Sequence, residues 1–451
     1  MGASRNASMN PAIRCLRLWL ALALTSGILI APVKPIEAAG ISTAADERPD
    51  LSDGISAQEA VTLAIRENFG LLALSRAREA ALGEVSRAKA FAEPEIRMGV
   101  SRPDDSGTAV SGHDYDIAFR WTPPRPGERG LKEYLAAGKV SETEGAIAAA
   151  KNKLAADILF LHAQIVLLDE KIALAESAVK VRETILEFVD SQIKAKLKTL
   201  LDRNIADLAL ADARFLPETY RAQRLVCINR LAGELNLSAA DLKIQKEEDA
   251  FVPKPRRLDV PGLIDAALAN RPELSIASAQ VAEAETKLSL TKKERYPWFS
   301  FFQTGPQWDA ASSSYPWGVR IGIELPIFKW NSGVLHEPVA EVERAQTDLA
   351  ALKKEIRMEV ERTAAQLKAR YEALEHFDKT IAPILARELT LAEESMTLGQ
   401  TDRLQYLLAQ AQGLQRRQSY LTDLLEYRRL EIELDRLTGC LFPKKSRGDL
   451  E

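Results

Sequence analysis

Laid over itself at an offset of 203 residues, the chain matches its own structural punctuation. Ala64 falls on Ala267, Leu71 on Leu274, Ser75 on Ser278 and Ala81 on Ala284. The register then runs on without a gap, placing Ser86 on Ser289, Lys89 on Lys292, Pro94 on Pro297, Pro123 on Pro326 and Gly130 on Gly333. Identities within alanine-rich helices come cheaply, but prolines and a glycine at matching breaks do not, since each marks a backbone geometry that other residues resist. Further on the offset is expected to drift to 206, where Arg230-Leu231-Ala232-Gly233 matches Arg436-Leu437-Thr438-Gly439 as two helix ends closed by glycine. Two copies of one unit are therefore expected, at 50–239 and 259–440. A linker at 240–258 containing Pro253 and Pro255 joins them, and a polar tail at 441–451 follows. Two copies are too few for a solenoid, which needs at least about three to bury a continuous core.

Inside each unit the hydrophobic period changes in a fixed order. From Ala57 to Phe91 it is helical, opened by Ser56 and Glu59 in capping-box spacing and ended by Pro94. A strand follows in which Ile96, Met98 and Val100 share a face, then a polar loop over 102–113. Next, Tyr115, Ile117, Phe119 and Trp121 alternate with Asp116, Ala118 and Arg120. The second copy alternates more cleanly, with Trp317, Val319, Ile321, Ile323 and Leu325 against Gly318, Arg320, Gly322 and Glu324. Charges on the second face exclude a dry core on both sides. The commonest use of such a pattern is a hairpin with one face on a helix and one in water. Here the expected strand length of about 8–10 residues also fits a tilted outer-membrane strand, and Trp121, Tyr296, Trp298 and Trp317 lie near strand ends, where an interfacial girdle belongs. Closed membrane barrels need about eight strands or more. One chain supplies four, so such a barrel has to be shared among chains.

The remaining length is helical. Ile147, Leu154, Ile158, Leu161, Ile165, Leu168, Ile172, Ala175 and Val179 keep a heptad seam, and Ile356, Val360, Leu367, Leu374, Phe377 and Ile381 repeat it with Thr363 and Arg370 as polar interruptions. From Gly130 to Val189 this is a rod of about 90 Å.

The first 38 residues differ from the rest. Arg5, Arg14 and Arg17 precede an apolar run from Leu18 to Ala31, and Ala38 offers a small residue for cleavage, the pattern of a secretory signal peptide. Its removal leaves a net charge of −7, against −4 for the whole chain. Such a balance has none of the basic excess that nucleic-acid phosphates require. Cys227 and Cys440 then remain and are expected to be unpaired. His113, His162, His336 and His376 are scattered without metal-ligand spacing and are expected at the solvated surface. No cofactor fingerprint, phosphate loop or Ser/His/Asp set stands at a strand-to-helix junction, so no enzyme is expected.

The order of these parts resembles the TolC-like outer-membrane efflux channel family across nearly all of residues 50–440. The residues that carry it are Pro94 and Pro297 before the strands, Pro326-Ile327-Phe328-Lys329-Trp330-Asn331-Ser332-Gly333 after them, and Leu398-Gly399-Gln400-Thr401-Asp402-Arg403-Leu404 between two late helices. Pro126-Gly127-Glu128-Arg129-Gly130 looks like the branch serving heavy-metal pumps of the resistance–nodulation–division class. The resemblance implies a mainly helical fold with short strands: a homotrimer in the bacterial outer membrane whose twelve strands close one barrel and whose long helices form a periplasmic tunnel. It also implies a periplasmic adaptor and an inner-membrane pump as partners, with Leu398–Leu404 as the docking tip, where Gly399 allows the turn and Asp402 or Gln400 caps the next helix. The first-repeat tip near Ile193–Lys198 has no glycine. Acidic constriction residues of well-known members are replaced by Gln405 and Leu408, against an acidic cation-selective gate. On this reading Arg97, Asp116, Arg120, Arg320 and Glu324 face a lumen, and Ile117, Phe119, Val319, Ile321 and Ile323 face lipid. The alternative is a periplasmic coiled-coil scaffold or adaptor with exposed hairpins. The cargo, whether metal ion, drug, solvent or protein, is not legible.

Overall fold

The computed structural model describes residues 54–101, 114–240, 242–246, 251–253, 258–308, 316–330, 333–398, 402–439 and 441. The export signal at 1–38, the loop over 102–113, Cys440 and nearly all of the tail lie outside the described residues.

Each repeat begins with two short helices end to end. Helices α1 (Ala57–Glu67) and α2 (Phe69–Lys89) meet at Asn68, so the single helix expected over 57–91 is broken. The capping box forms as expected: the Glu59 amide donates to Ser56 Oγ at 3.3 Å and the Ser56 amide donates to the Glu59 carboxylate at 3.0 Å. Asn68 has extended backbone, accepts from the Leu71 amide at 3.1 Å, and donates from its side-chain nitrogen to Glu234 at 3.1 Å. An asparagine that bonds its downstream backbone competes with helix continuation, and a count of apolar spacing does not register it. In the second repeat α5 (Val260–Asn270) and α6 (Pro272–Glu294) part at Arg271, where the following proline disfavours a helical residue.

The first repeat carries β1 (Glu95–Ser101) and β2 (Asp114–Trp121), the second β3 (Trp298–Trp308) and β4 (Trp317–Glu324). Both hairpins join through β2 and β3 into one antiparallel sheet of order β1-β2-β3-β4. Helix α3 (Glu128–Lys194) then runs unbroken for 67 residues, about 100 Å, and α4 (Leu200–Leu235) returns for 36. In the second repeat α7 (Gly333–His376), a π-turn (Phe377–Ile381) and α8 (Ala382–Thr397) replace α3, and α9 (Arg403–Thr438) replaces α4. The π-turn precedes Pro383, which has no N–H for the Lys379 carbonyl and crowds it, and a wider turn removes that conflict. Phe377 stacks on Tyr420 of α9 at 4.6 Å. The Tyr420 hydroxyl donates to Asp378 at 3.2 Å, and burial, then the Asp378 charge, push it up to about 12.

The offset of 203 persists to the end of the second repeat, which corrects the expected drift to 206. Helices α4 and α9 end 203 residues apart, on left-handed residues Asn236 (φ 53°) and Gly439 (φ 71°). Gly233 lies inside α4 with open space around it and closes nothing. Asn236 does the closing: the Leu237 amide donates to the Ala232 carbonyl at 2.9 Å, in the Schellman pattern that asparagine can serve in place of glycine.

The heptad seams lead into three buried clusters. Leu154, Ile158, Leu161, Ile165 and Leu168 of α3 pack with α1 and with Ile228, Leu231 and Leu235 of α4. Residues of the expected linker join both repeats' cores: Leu242 belongs to this first cluster and Ile244 bridges Ile55 in parallel, while Phe251 and Leu258 pack on the second. That second cluster unites Ile356, Val360, Leu367 and Leu374 of α7 with Leu424, Tyr427, Leu434 and Leu437 of α9 and with Leu167 of α3. The third joins Val181, Ile185 and Val189 of α3 to Ala206, Leu407 and Ala411. His162 departs from the surface placement expected of it: it is buried at 3% exposure, with Nε2 3.3 Å from the Ile55 carbonyl. His336 and His376 are exposed. Cys227 is a buried free thiol, raised by desolvation.

Two measurements check this packing. Asn236→Gly is expected to keep thermal stability, whereas Asn236→Val costs about 1–2 kcal/mol in detergent unfolding, because a β-branched residue resists the left-handed conformation. Glu433 accepts from Arg436 at 2.6 Å, and that bond holds its carboxyl below the ordinary value. With the folded pKa depressed, its contribution is complete above the unfolded value of about 4.3 and is lost as pH falls through the folded one. Glu433→Gln is therefore expected to be less stable than the parent at pH 7, the difference closing below about pH 4.

Candidate functional site

The sheet register sorts side chains onto two unlike faces. Ile96, Met98 and Val100 oppose Phe119, Ile117 and Tyr115; Tyr115, Phe119 and Trp121 oppose Trp308, Thr304 and Phe302. Phe302, Thr304 and Pro306 then oppose Ile321, Val319 and Trp317, so one face is mostly apolar from edge to edge. On the other face Glu95, Arg97 and Gly99 oppose Arg120, Ala118 and Asp116; Arg120 and Asp116 oppose Gln303 and Gln307; Gln303 opposes Arg320, and Trp298 opposes Glu324. The five residues expected on the charged face thus share one side, and Ile117, Phe119, Val319, Ile321 and Ile323 share the other. Met98 is 78% exposed, Ile323 60% and Ile321 57%: none of the described helices covers this apolar surface. The outer edges of β1 and β4 have no strand partner among the described residues.

Strand β3 holds a bulge at Ser300, between Phe299 and Phe301, which turns Phe299 to the apolar face and Phe301 to the polar one. Phe301 lies over Gly322, where a Cβ would stand 2.4 Å from the ring, and carries the Arg120 guanidinium 4.0 Å above its centroid. At Gly305 a Cβ would stand 2.0 Å from the Ile117 carbonyl oxygen, so β2 and β3 approach at a spacing only glycine permits.

A knot of bonds ties this sheet to the rods. The Arg125 guanidinium donates to the carbonyls of Lys293 (3.0 Å) and Tyr296 (2.9 Å) and to Glu324 (2.9 Å), while Lys293 donates to the Pro126 carbonyl at 2.8 Å. Trp298 Nε1 donates to the Pro123 carbonyl at 2.9 Å. Gly127, at φ 73°, makes the left-handed turn into α3.

At the far end of the rods lie the helical tips. Helix α3 ends with Lys196 in a left-handed conformation (φ 64°), the Leu197 amide donating to the Gln192 carbonyl at 2.9 Å. Thr199 then opens α4 by a capping box with Asp202, a Thr-x-x-Asp spacing readable in the sequence. In the 203 register Lys196 stands where the second repeat has Gly399. Leu398 caps α8 and Asp402 takes the N-cap position of α9, although its side chain makes no capping bond. Gly399, Gln400 and Thr401 lie outside the described residues, and Arg403 and Leu404 begin α9. Gln405 and Leu408 are exposed on the first turns of that helix.

Among the described residues no group of three or more His, Cys, Asp or Glu is placed to hold a metal ion, and no helix is long and apolar enough to cross a membrane. Known structures supply the comparison that decides the fold. A membrane protein from Pseudomonas aeruginosa superposes with a TM-score of 0.72 at 18% identity, over 90% of this chain and 95% of its own. The Campylobacter jejuni CmeC outer membrane channel does so with 0.70 at 13% identity, over 86% and 87%. Residues 263–440, the second repeat, match the outer membrane efflux protein family. The chain has the TolC-like efflux fold. Among sequences, the TolC-like chain is 21% identical over 421 residues to the cobalt-zinc-cadmium resistance protein CzcC of Cupriavidus metallidurans, covering 92% of this chain and 94% of CzcC.

Two glycine substitutions separate the tight sheet from the open rod. Gly305→Ala is expected to disrupt the β2–β3 pairing and to lower the yield of folded protein, whereas Gly138→Ala, in open space within α3, stabilises by about 0.5–1 kcal/mol. Thermal melts of purified variants check both.

Proposed function

We propose that this protein is the outer-membrane channel of a tripartite efflux system, a passive exit duct for cargo delivered by an inner-membrane pump through a periplasmic adaptor. One observation carries the reading: a sheet that, among the described residues, has its apolar face uncovered, its opposite face charged and both edges without a strand partner, mounted on rods about 100 Å long. Backbone groups in hydrocarbon must be bonded within the protein, so such a sheet needs other copies to complete it. Three copies pool twelve strands. The apolar faces then meet lipid, and Arg97, Asp116, Arg120, Arg320 and Glu324 line the lumen. The rods extend into the periplasm, and their tips, Leu398–Leu404 and the Ala195–Thr199 turn of the first repeat, dock the adaptor. The likeness to the cobalt-zinc-cadmium resistance protein CzcC supports heavy-metal cargo.

Location and assembly test this directly: an outer-membrane trimer extracted only by detergent is expected, and a soluble periplasmic monomer overturns the reading. Ile321→Arg would place a charge against lipid at a cost of about 2–4 kcal/mol near mid-bilayer. The expected outcome is loss of the detergent-stable trimer on native gels, with Ile321→Leu assembling normally.

A further inference from the structure

The charges on the polar face fall into bands. Asp116 stands toward the loop end of β2. Nearer the helices Arg120 and Arg320 share one row of the sheet, on either side of Gln303. With strands about 4.8 Å apart, their Cα atoms are about 10 Å from each other. The nearest carboxylates are engaged elsewhere: Glu95, opposite Arg120 in the register, accepts from Arg97 at 3.2 Å, and Glu324 accepts from Arg125 at 2.9 Å. Asp116 is four residues along β2 from Arg120, about 13 Å. Among the described residues neither Arg120 nor Arg320 forms an ion pair. Arg120 stands over the Phe301 ring, a cation–π contact that helps to hold the guanidinium in place. Arg320 extends the opposite way along the sheet, its Nη2 3.5 Å from Gln307 Oε1. The two guanidinium groups thus lean to opposite sides of their row, Arg120 onto a ring platform that Gly322 makes room for and Arg320 toward Gln307, which stands opposite Asp116.

We propose that Arg120 and Arg320 form an anion-binding collar in the channel, taking small anions that bear carboxylate or phosphate groups. The proposal rests on the trimeric channel reading above, in which three copies contribute six guanidinium groups, three to either side of one row of the barrel. Low-dielectric walls focus their field into the lumen. Anionic cargo, or metal carried on anionic ligands, is drawn through such a ring, and a bare divalent cation is repelled.

The full-length protein in planar lipid bilayers tests this. Reversal potentials are measured across a tenfold KCl gradient, together with block of the KCl current by inorganic phosphate and by citrate, which separates phosphate from carboxylate recognition. The parent is expected to prefer chloride and to be blocked by at least one of the two anions. Arg120→Gln/Arg320→Gln is expected to lower the chloride-to-potassium permeability ratio at least threefold and to abolish the block, while Arg120→Lys/Arg320→Lys keeps the preference. Each single Gln variant gives an intermediate shift, so the test stands even where the double variant does not assemble. Pores of normal conductance whose selectivity and block are the same in parent and Gln variants overturn the collar. Failure of the parent to form pores at all overturns instead the channel reading on which the collar rests.

Discussion

The sheet exposes Met98, Ile321 and Ile323 on one side and carries charge on the other, and no described helix covers its apolar side. Its apolar face is broad and contiguous, its charged face excludes a second dry layer, and among the described residues its two edges have no strand partner. The long helices do not relieve any of these, because they leave the sheet at one end instead of lying across it. Much else in the molecule reads as a consequence. The two hairpins must sit side by side to present one continuous surface, and the duplicated unit brings them together in matching orientation.

Arg125 reinforces that union beside the β2–β3 ladder. Three acceptors from the second repeat converge on one guanidinium from the first, and Lys293 and Trp298 reach back to carbonyls of the first. Arginine suits this place because its planar fork satisfies several acceptors at once, which a lysine ammonium does with less geometric definition. The core repeats the theme, for α3 lends Leu167 to the cluster of the second repeat and Val181, Ile185 and Val189 to one shared with α9. Neither copy is an independent domain.

What the amino-acid order reveals follows from which signals are periodic. Alternation in β4 and β2 placed each charged and apolar residue on its proper face, since a period of two leaves no choice once a strand is granted. Strand β3 was harder to read because the bulge at Ser300 reverses the alternation partway. The heptad seams identified the buried stripe of α3 from Leu154 to Ala175. Non-periodic features stayed hidden: Asn68 breaking a helix by its own side chain, Asn236 taking a left-handed turn that a glycine three residues earlier had suggested, and His162 facing the Ile55 carbonyl from within an apolar stripe. Each depends on a partner distant in sequence or on a single backbone torsion.

The wide turn at Phe377–Ile381 also breaks the equality of the two halves. Residue counts match along both rods, yet a turn of about 4.4 residues in place of 3.6 rotates everything beyond it relative to the first copy. Helix α8 therefore shows α9 a different set of side chains than α3 shows α4, and none of its residues is buried where α3 buries Val181, Ile185 and Val189. Any ring assembled from this polypeptide is nearly twice as symmetric at the sheet as its copy number requires. At the opposite end it keeps only the symmetry of the copies themselves, with a loosely seated rod alternating with a firmly seated one.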